Sequence, residues 1–349
     1  MKNAAIGRLM RLILALLVLC VPGMASAQLT FSGIVVFGTS VSDPGNAYAL
    51  LTRPVPGLTY TCSVTQSLPP YATVVAEDLY PCAPYAIGGH HFSNGATWIE
   101  QFAARRGLAI DAGPAFRGSN GKAHNYAVSG ARATDVTGRV NLPQQVQAFL
   151  SDVGSTAPAD ALYVIEIGNN DVGDSLKEFL AVYGQTGDLN QALAAAQTVI
   201  TDALSSIAAN MQVLYAAGAR KFLVLNAAKF NLVPIVTLQG AQAIALGGAL
   251  SDAFNTGLVQ NVLTPLSAAL PDIEIAQLDV ASRMVDIINH ANNYGLTNVS
   301  GFCITPNVAP FKCEEPSTFF FWDGIHPTAA VHSIIAQAVA GVLADYPAP

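Results

Sequence analysis

Short apolar runs, several closed by a glycine, recur along the chain and set its frame. Ile34 to Phe37 ends at Gly38, and Ala161 to Ile167, apolar apart from Glu166, ends at Gly168. Lys221 to Leu225 and Ile273 to Leu278 are similar runs. Runs that do not alternate with polar residues predict strands buried on both faces of a parallel sheet. Asn125 to Val128 reads as a further short strand running into Ser129-Gly130-Ala131. Between these runs the pattern changes to a helical period. Gly95 to Gly107 places Trp98, Ile99, Phe102 and Ala103 on one face, and Leu142 to Leu150 is a short amphipathic segment. Longer helices are predicted over Leu189 to Ala217, closed by Gly218, and over Ala241 to Leu270. Two more fall near Ala281 to Asn289 and over Thr328 to Ala344. Strand alternating with helix predicts a three-layer α/β fold with a mostly parallel central sheet. No repeat or linker interrupts it, so residues 28–349 are expected to form one domain.

Residues 51–90 break the pattern. They are rich in Pro, Gly, Thr and Tyr without a helical period, and predict a long surface excursion that could wall a substrate site. At the N-terminus, Lys2, Arg8 and Arg11 precede an apolar stretch from Leu12 to Val21 and the small-residue run Ala25-Ser26-Ala27. Residues 1–27 therefore read as a secretory signal peptide cut before Gln28. The apolar stretch is too short to span a bilayer comfortably, and bulky Leu19 disfavours lipid attachment at Cys20. A secreted or periplasmic protein without a stable membrane anchor is expected.

Of the 349 residues 52% are hydrophobic and 11% charged, which supplies a generous core and excludes disorder. The net charge of −7, with no cluster of Lys or Arg, excludes a nucleic-acid partner. Cys62, Cys82, Cys303 and Cys313 remain after the leader, an even number that in an exported chain suggests disulfides. Of the three connectivities, sequence-local pairing of Cys62 with Cys82 and Cys303 with Cys313 is expected. Their spacing matches no zinc pattern, and adjacent His90 and His91 point apart with no carboxylate to complete a metal site. No cofactor or metal is expected.

Candidate chemistry gathers where strands end. Ser40, two residues past Gly38, would be presented at the carboxyl end of the first strand, the usual location of ligands in open parallel sheets. Ser42 competes with it but fits a helix cap or turn. Near the C-terminus Asp323 and His326 are three residues apart on a turn between Gly324 and Pro327. That spacing lets the carboxylate hold Nδ1 and leave Nε2 free for a hydroxyl, the arrangement ester cleavage needs; a turn former and a helix cap are the plainer reading. Gly130 offers a main-chain N–H with no side chain in the way, and Asn170 in Gly168-Asn169-Asn170-Asp171 offers an amide donor. The G-x-S-x-G elbow of ordinary α/β-hydrolases is absent at Ser40.

Taken together, the serine near the mature N-terminus, the glycine, G-x-N-D and the terminal D-x-x-H resemble the GDSL, or SGNH, hydrolases. His91 to Trp98 and Leu142 to Val146 add to the likeness, which is nearest to the secreted phospholipase, lecithinase and acyltransferase-like branch. The resemblance implies a flavodoxin-like fold and a secreted serine esterase or lipase acting on short-chain or lipid acyl esters. It implies Ser40 as nucleophile, His326 as base and Asp323 as its orienting acid, with Ser40 N–H, Gly130 N–H and Asn170 as the oxyanion hole. One position departs: Gly38-Thr39-Ser40-Val41 carries threonine where the family has aspartate, while Asp43 and Asn46 remain to brace the loop. Phospholipase, acyltransferase and carbohydrate acetylesterase activities stay open, as does a non-catalytic binding module on the same scaffold. Phe319, Phe320, Phe321 and Trp322 fit an acyl pocket or, equally, a core strand. Oligomeric state is not legible.

Overall fold

The computed structural model describes residues 30–53, 55–59, 90–118, 121–304 and 313–344. The leader, most of the 51–90 excursion and the Cys62–Cys82 pairing lie outside the described residues. The elements run β1 (Ile34–Gly38), α1 (Asn46–Thr52), α2 (Trp98–Arg105), α3 (Leu142–Asp152), β2 (Leu162–Glu166), α4 (Asn169–Thr186), α5 (Leu189–Ala217) and β3 (Lys221–Leu225). They continue with α6 (Pro234–Thr237), α7 (Ala241–Gly257), α8 (Thr264–Ala269), β4 (Glu274–Leu278), α9 (Val280–Asn289), β5 (Asn298–Phe302), β6 (Phe319–Phe321) and α10 (Ala329–Ala344).

Strands β1 to β4 form one parallel sheet in the order β1-β2-β3-β4. Every residue of β1 and β2 is buried. Successive side chains point to opposite faces of a sheet, so burial of all of them requires cover on both sides: three layers. Phe37, Tyr126, Phe149, Tyr163 and Phe222 run across the sheet as neighbouring rings with centroids 5.7–6.0 Å apart. Each such pair contributes about 0.5–1.5 kcal/mol beyond its area.

Asn125 to Val128 does not form the predicted strand. It runs beside β1, with Val36 N donating to His124 O and Tyr126 N to Val36 O, but only Asn125 makes a bridge. The carbonyls that would pair outward are taken: Asn46 Nδ2 donates to the oxygens of Asn125 (2.7 Å) and Ala127 (2.9 Å). The segment still occupies the place of the second element. With it the spatial order becomes second-first-third-fourth-fifth, the doubly wound, flavodoxin-like order, whose switch point lies between β1 and β2. Ser40 follows β1, and Gly130 follows the Asn125 to Val128 segment on its other side.

Three other differences have local causes. The helix expected over Ala241 to Leu270 is continuous but contains a π turn at Leu258–Leu263 ahead of Pro265, which has no N–H to give the preceding turn. Helix α4 begins at an Asn-Asn-Asp run that reads as a turn. Strands β5 and β6 pair as a small parallel sheet beside the Cys303–Cys313 disulfide. Helix α5 has the length and hydropathy to cross a membrane, yet Ala192, Ala196, Ile200, Ile207, Met211 and Leu214 on one face are packed into the core.

Candidate active site

Strand β1 ends at Gly38, and the chain turns so that Ser42 N donates to Thr39 O at 3.0 Å. This turn presents Ser40, whose residue is 8% exposed. At the other end of the chain Asp323 closes a turn over itself: Oδ1 accepts the N–H groups of Ile325 (2.8 Å) and His326 (2.7 Å). Its second oxygen, Oδ2, lies 2.8 Å from His326 Nδ1, and His326 Nε2 lies 2.8 Å from Ser40 Oγ. The structure thus brings Ser40, His326 and Asp323 into one hydrogen-bonded line across 286 residues of sequence. Burial alone would lift the Asp323 carboxyl. The His326 charge, its ring bond and the two amides outweigh that and hold it below the usual carboxylate range.

Two further predicted groups converge here. Gly130 has φ +76°, and Arg132 donates to its carbonyl at 2.6 Å while forking onto Asp174 at 2.8 and 2.9 Å. This fixes the orientation of the turn. Among the described residues the main-chain N–H groups of Ser40 and Gly130 have no hydrogen-bond acceptor. Asn170 Nδ2 donates to Ala131 O at 2.8 Å, which ties one of its two protons to the Gly130 turn and leaves the second. Asp171 accepts Ala133 N at 3.0 Å, and burial pushes its carboxyl up to about 6.

Asp43 and Asn46 brace the loop. Asp43 is fully buried and accepts the N–H groups of Gly45, Asn46, Ala47 and Ser129 at 2.6–3.2 Å. Burial pushes its carboxyl up to about 6 against the pull of those four donors. Ser42 is fully buried and accepts Trp98 Nε1 at 3.0 Å, so it is a packed residue and leaves Ser40 as the accessible hydroxyl. Thr39 turns its hydroxyl onto Glu166 at 2.9 Å.

The aromatic run near His326 is core: Phe320, Phe321 and Trp322 are buried. Exposed apolar side chains that the sequence reading did not single out are Ile325 (43% exposed) within the turn, Ile235 (37%) on α6 and Leu238 (74%) just past the end of α6. Ile235 N donates to Gly324 O at 3.0 Å, which docks α6 against the turn. His91 and His332 sit behind His326 without touching Ser40. His91 Nε2 pairs with Glu100 at 2.9 Å, and His332 Nδ1 accepts Trp98 N at 3.1 Å. Among the described residues no group of three or more His, Cys, Asp or Glu side chains is placed to hold a metal.

A family model described as GDSL-like Lipase/Acylhydrolase matches residues 34–339. One GDSL esterase/lipase of Arabidopsis thaliana is 25% identical over 90% of this chain and 86% of its own length. A second is 29% identical over 73% of each. A third, 28% identical, aligns over 54% of this chain, which spans about half (53%) of that relative. Among solved structures, an extracellular lipase from Streptomyces rimosus is 16% identical with a TM-score of 0.38, over 89% of this chain and 99% of that one. The match over most of the length, on a chain whose serine, glycine, asparagine and Asp-His segments meet at one sheet edge, settles its kinship: the chain belongs to the GDSL-like lipase/acylhydrolase family, hydrolases of carboxylic esters.

Proposed function

We propose that the protein is a secreted serine esterase that cleaves apolar acyl esters through an acyl-enzyme on Ser40. The observation that carries the reading is the line Asp323–His326–Ser40, with both contacts at 2.8 Å. Asp323 holds the proton of the ring on Nδ1, so Nε2 is bare and accepts the proton of Ser40 as Oγ attacks the ester carbonyl. The oxyanion is received by the N–H groups of Ser40 and Gly130 and the second proton of Asn170. The imidazolium then protonates the departing alcohol, and water activated at the same Nε2 releases the acid. No step calls for a cofactor.

The apolar side chains of Ile235, Leu238 and Ile325 support an acyl chain as the part of the substrate lying along the His326 turn, in place of the buried aromatics. Export is supported by the basic-apolar-small leader and the Cys303–Cys313 bridge. The test is labelling with a fluorophosphonate and hydrolysis of p-nitrophenyl acetate. Ser40→Ala is expected to abolish labelling and lower turnover by about 10³–10⁶. Labelling that persists in this variant, or turnover within tenfold of the parent, refutes the assignment.

A further inference from the structure

Glu166, at the end of β2, is a carboxyl of the central sheet that the reaction does not use. It is buried, and among the described residues no Lys, Arg or His lies within ion-pair distance. A carboxyl in such a place is costly unless donors satisfy it. Neutral donors do so from two sides. Thr39 gives its N–H (3.0 Å) and its hydroxyl (2.9 Å) to Oε2, and Asn169 Nδ2 reaches Oε1 at 3.3 Å. The backbone makes room for it: Gly38 faces Glu166 across the sheet, and a Cβ there would fall 2.9 Å from Glu166 O and 3.0 Å from Oε2. Asn169 is held from its other side by Ala228 N at 2.9 Å, so the network ends on a fixed point beyond β3.

The two anchored residues matter for where they stand. Thr39 precedes Ser40, and Asn169 precedes Asn170. We propose that Glu166 is a positioning residue: its carboxyl grips the chain neighbours of Ser40 and Asn170 and so fixes the separation of nucleophile and oxyanion donor. This rests on the reading of Ser40 and Asn170 given above. Thr39 then fits the network where an aspartate would set a second carboxyl against the first.

In Glu166→Gln one acceptor oxygen becomes an amide NH₂ facing donors, which displaces Thr39 or Asn169. Misplacement on the scale of an ångström costs about 10²-fold in rate. The expected result is kcat for p-nitrophenyl acetate about 10- to 100-fold lower per site titrated with fluorophosphonate, with KM within twofold of the parent. Thr39→Val should lower per-site kcat in the same direction, Thr39→Ser should restore it, and Thr39→Val should add nothing to Glu166→Gln in the double variant. Titration counts only competent sites, so a fall in folded fraction does not register as a fall in kcat. Per-site kcat of Glu166→Gln within twofold of the parent overturns the proposal. Should that variant not fold, Thr39→Val within twofold of the parent overturns it. Either result leaves Ser40 in place so long as Ser40→Ala is inert, whereas an active Ser40→Ala removes the reading underneath.

Discussion

Replacing Asp323 by asparagine is a sharp perturbation because both oxygens of the native carboxylate are committed. Oδ1 accepts two main-chain N–H groups, that of His326 buried and that of Ile325 part-buried, and Oδ2 faces His326 Nδ1. In the variant, the amide oxygen is held at the Oδ1 place; turning it away would strand those two donors at about 1–3 kcal/mol each. The NH₂ therefore faces Nδ1, which must become the bare nitrogen, and the ring proton moves to Nε2, opposite Ser40. An imidazole in that tautomer cannot accept the serine proton. The active tautomer is then about 2–6 kcal/mol uphill, and kcat per titrated site should fall by about 30-fold to about 10⁴-fold with little change in KM. The assay is p-nitrophenyl acetate hydrolysis near neutral pH, normalised by fluorophosphonate titration. Imidazole ¹⁵N shifts read the tautomer directly. A variant within fivefold of the parent, or one whose Nδ1 still carries the proton, refutes the reasoning.

Leu238→Ser with Ile235→Ser should lower kcat/KM for p-nitrophenyl decanoate by about 10- to 30-fold and leave p-nitrophenyl acetate unchanged, since each lost apolar contact of this size is worth about 1 kcal/mol. Equal loss on both esters would remove the acyl-chain assignment. Burial pushes His332 down to about 3, with the charges of His91 and His326 adding to it. The folded ring stays neutral while the unfolded one binds a proton below about 6.5, so this group withdraws stability as pH falls from about 6.5 towards 3, at roughly 1.4 kcal/mol per pH unit. Asp43 and Asp171, raised to about 6, act with the opposite sign between about 6 and 3.8, which makes a difference measurement necessary. His332→Asn, which keeps an acceptor for Trp98 N, should gain on the parent as urea denaturation is moved from pH 7 to pH 5. An unchanged gap between the two contradicts the assignment.

How far the chain could be read in advance depended on whether one physical signal dominated a stretch. Strands β1 to β4 were legible because an uninterrupted apolar run has few places to go except a doubly covered sheet. Helix α5 was legible to the residue, with Asp188 accepting two N–H groups at its start and Gly218 at its end. Helix α4 had no legible range because its first residues, Asn169, Asn170 and Asp171, look like a turn that caps a helix, and Gly173 and Gly184 dilute its apolar face. The Asn125 to Val128 strand was overread because nothing in its own pattern reveals that Asn46, 79 residues earlier, takes its carbonyls. The Ser40 and Asp323–His326 segments stood out by their spacing, whereas the exposed side chains of Ile235 and Leu238 did not. Ile235 and Leu238 lie on and just past the short helix α6, and the bond from Ile235 N to Gly324 O, which no local pattern reveals, brings that helix to the Asp323–His326 turn. Glu166 was visible as the one charge in an apolar run, but its partners come from β1 and the start of α4.

The amide of Asn46 has a consequence for how the molecule behaves in company. A sheet border with unclaimed carbonyls is a template on which another chain can lay a strand. Here the border beside β1 is sealed from within: one side chain occupies the oxygens of Asn125 and Ala127, and Ala115 N occupies that of Asn125 again. Among the described residues this border, on the far side of β1 from the switch point, thus gives a neighbouring copy no free carbonyl at Asn125 or Ala127 to zip onto, while the carboxyl ends of the strands stay open to a small ester.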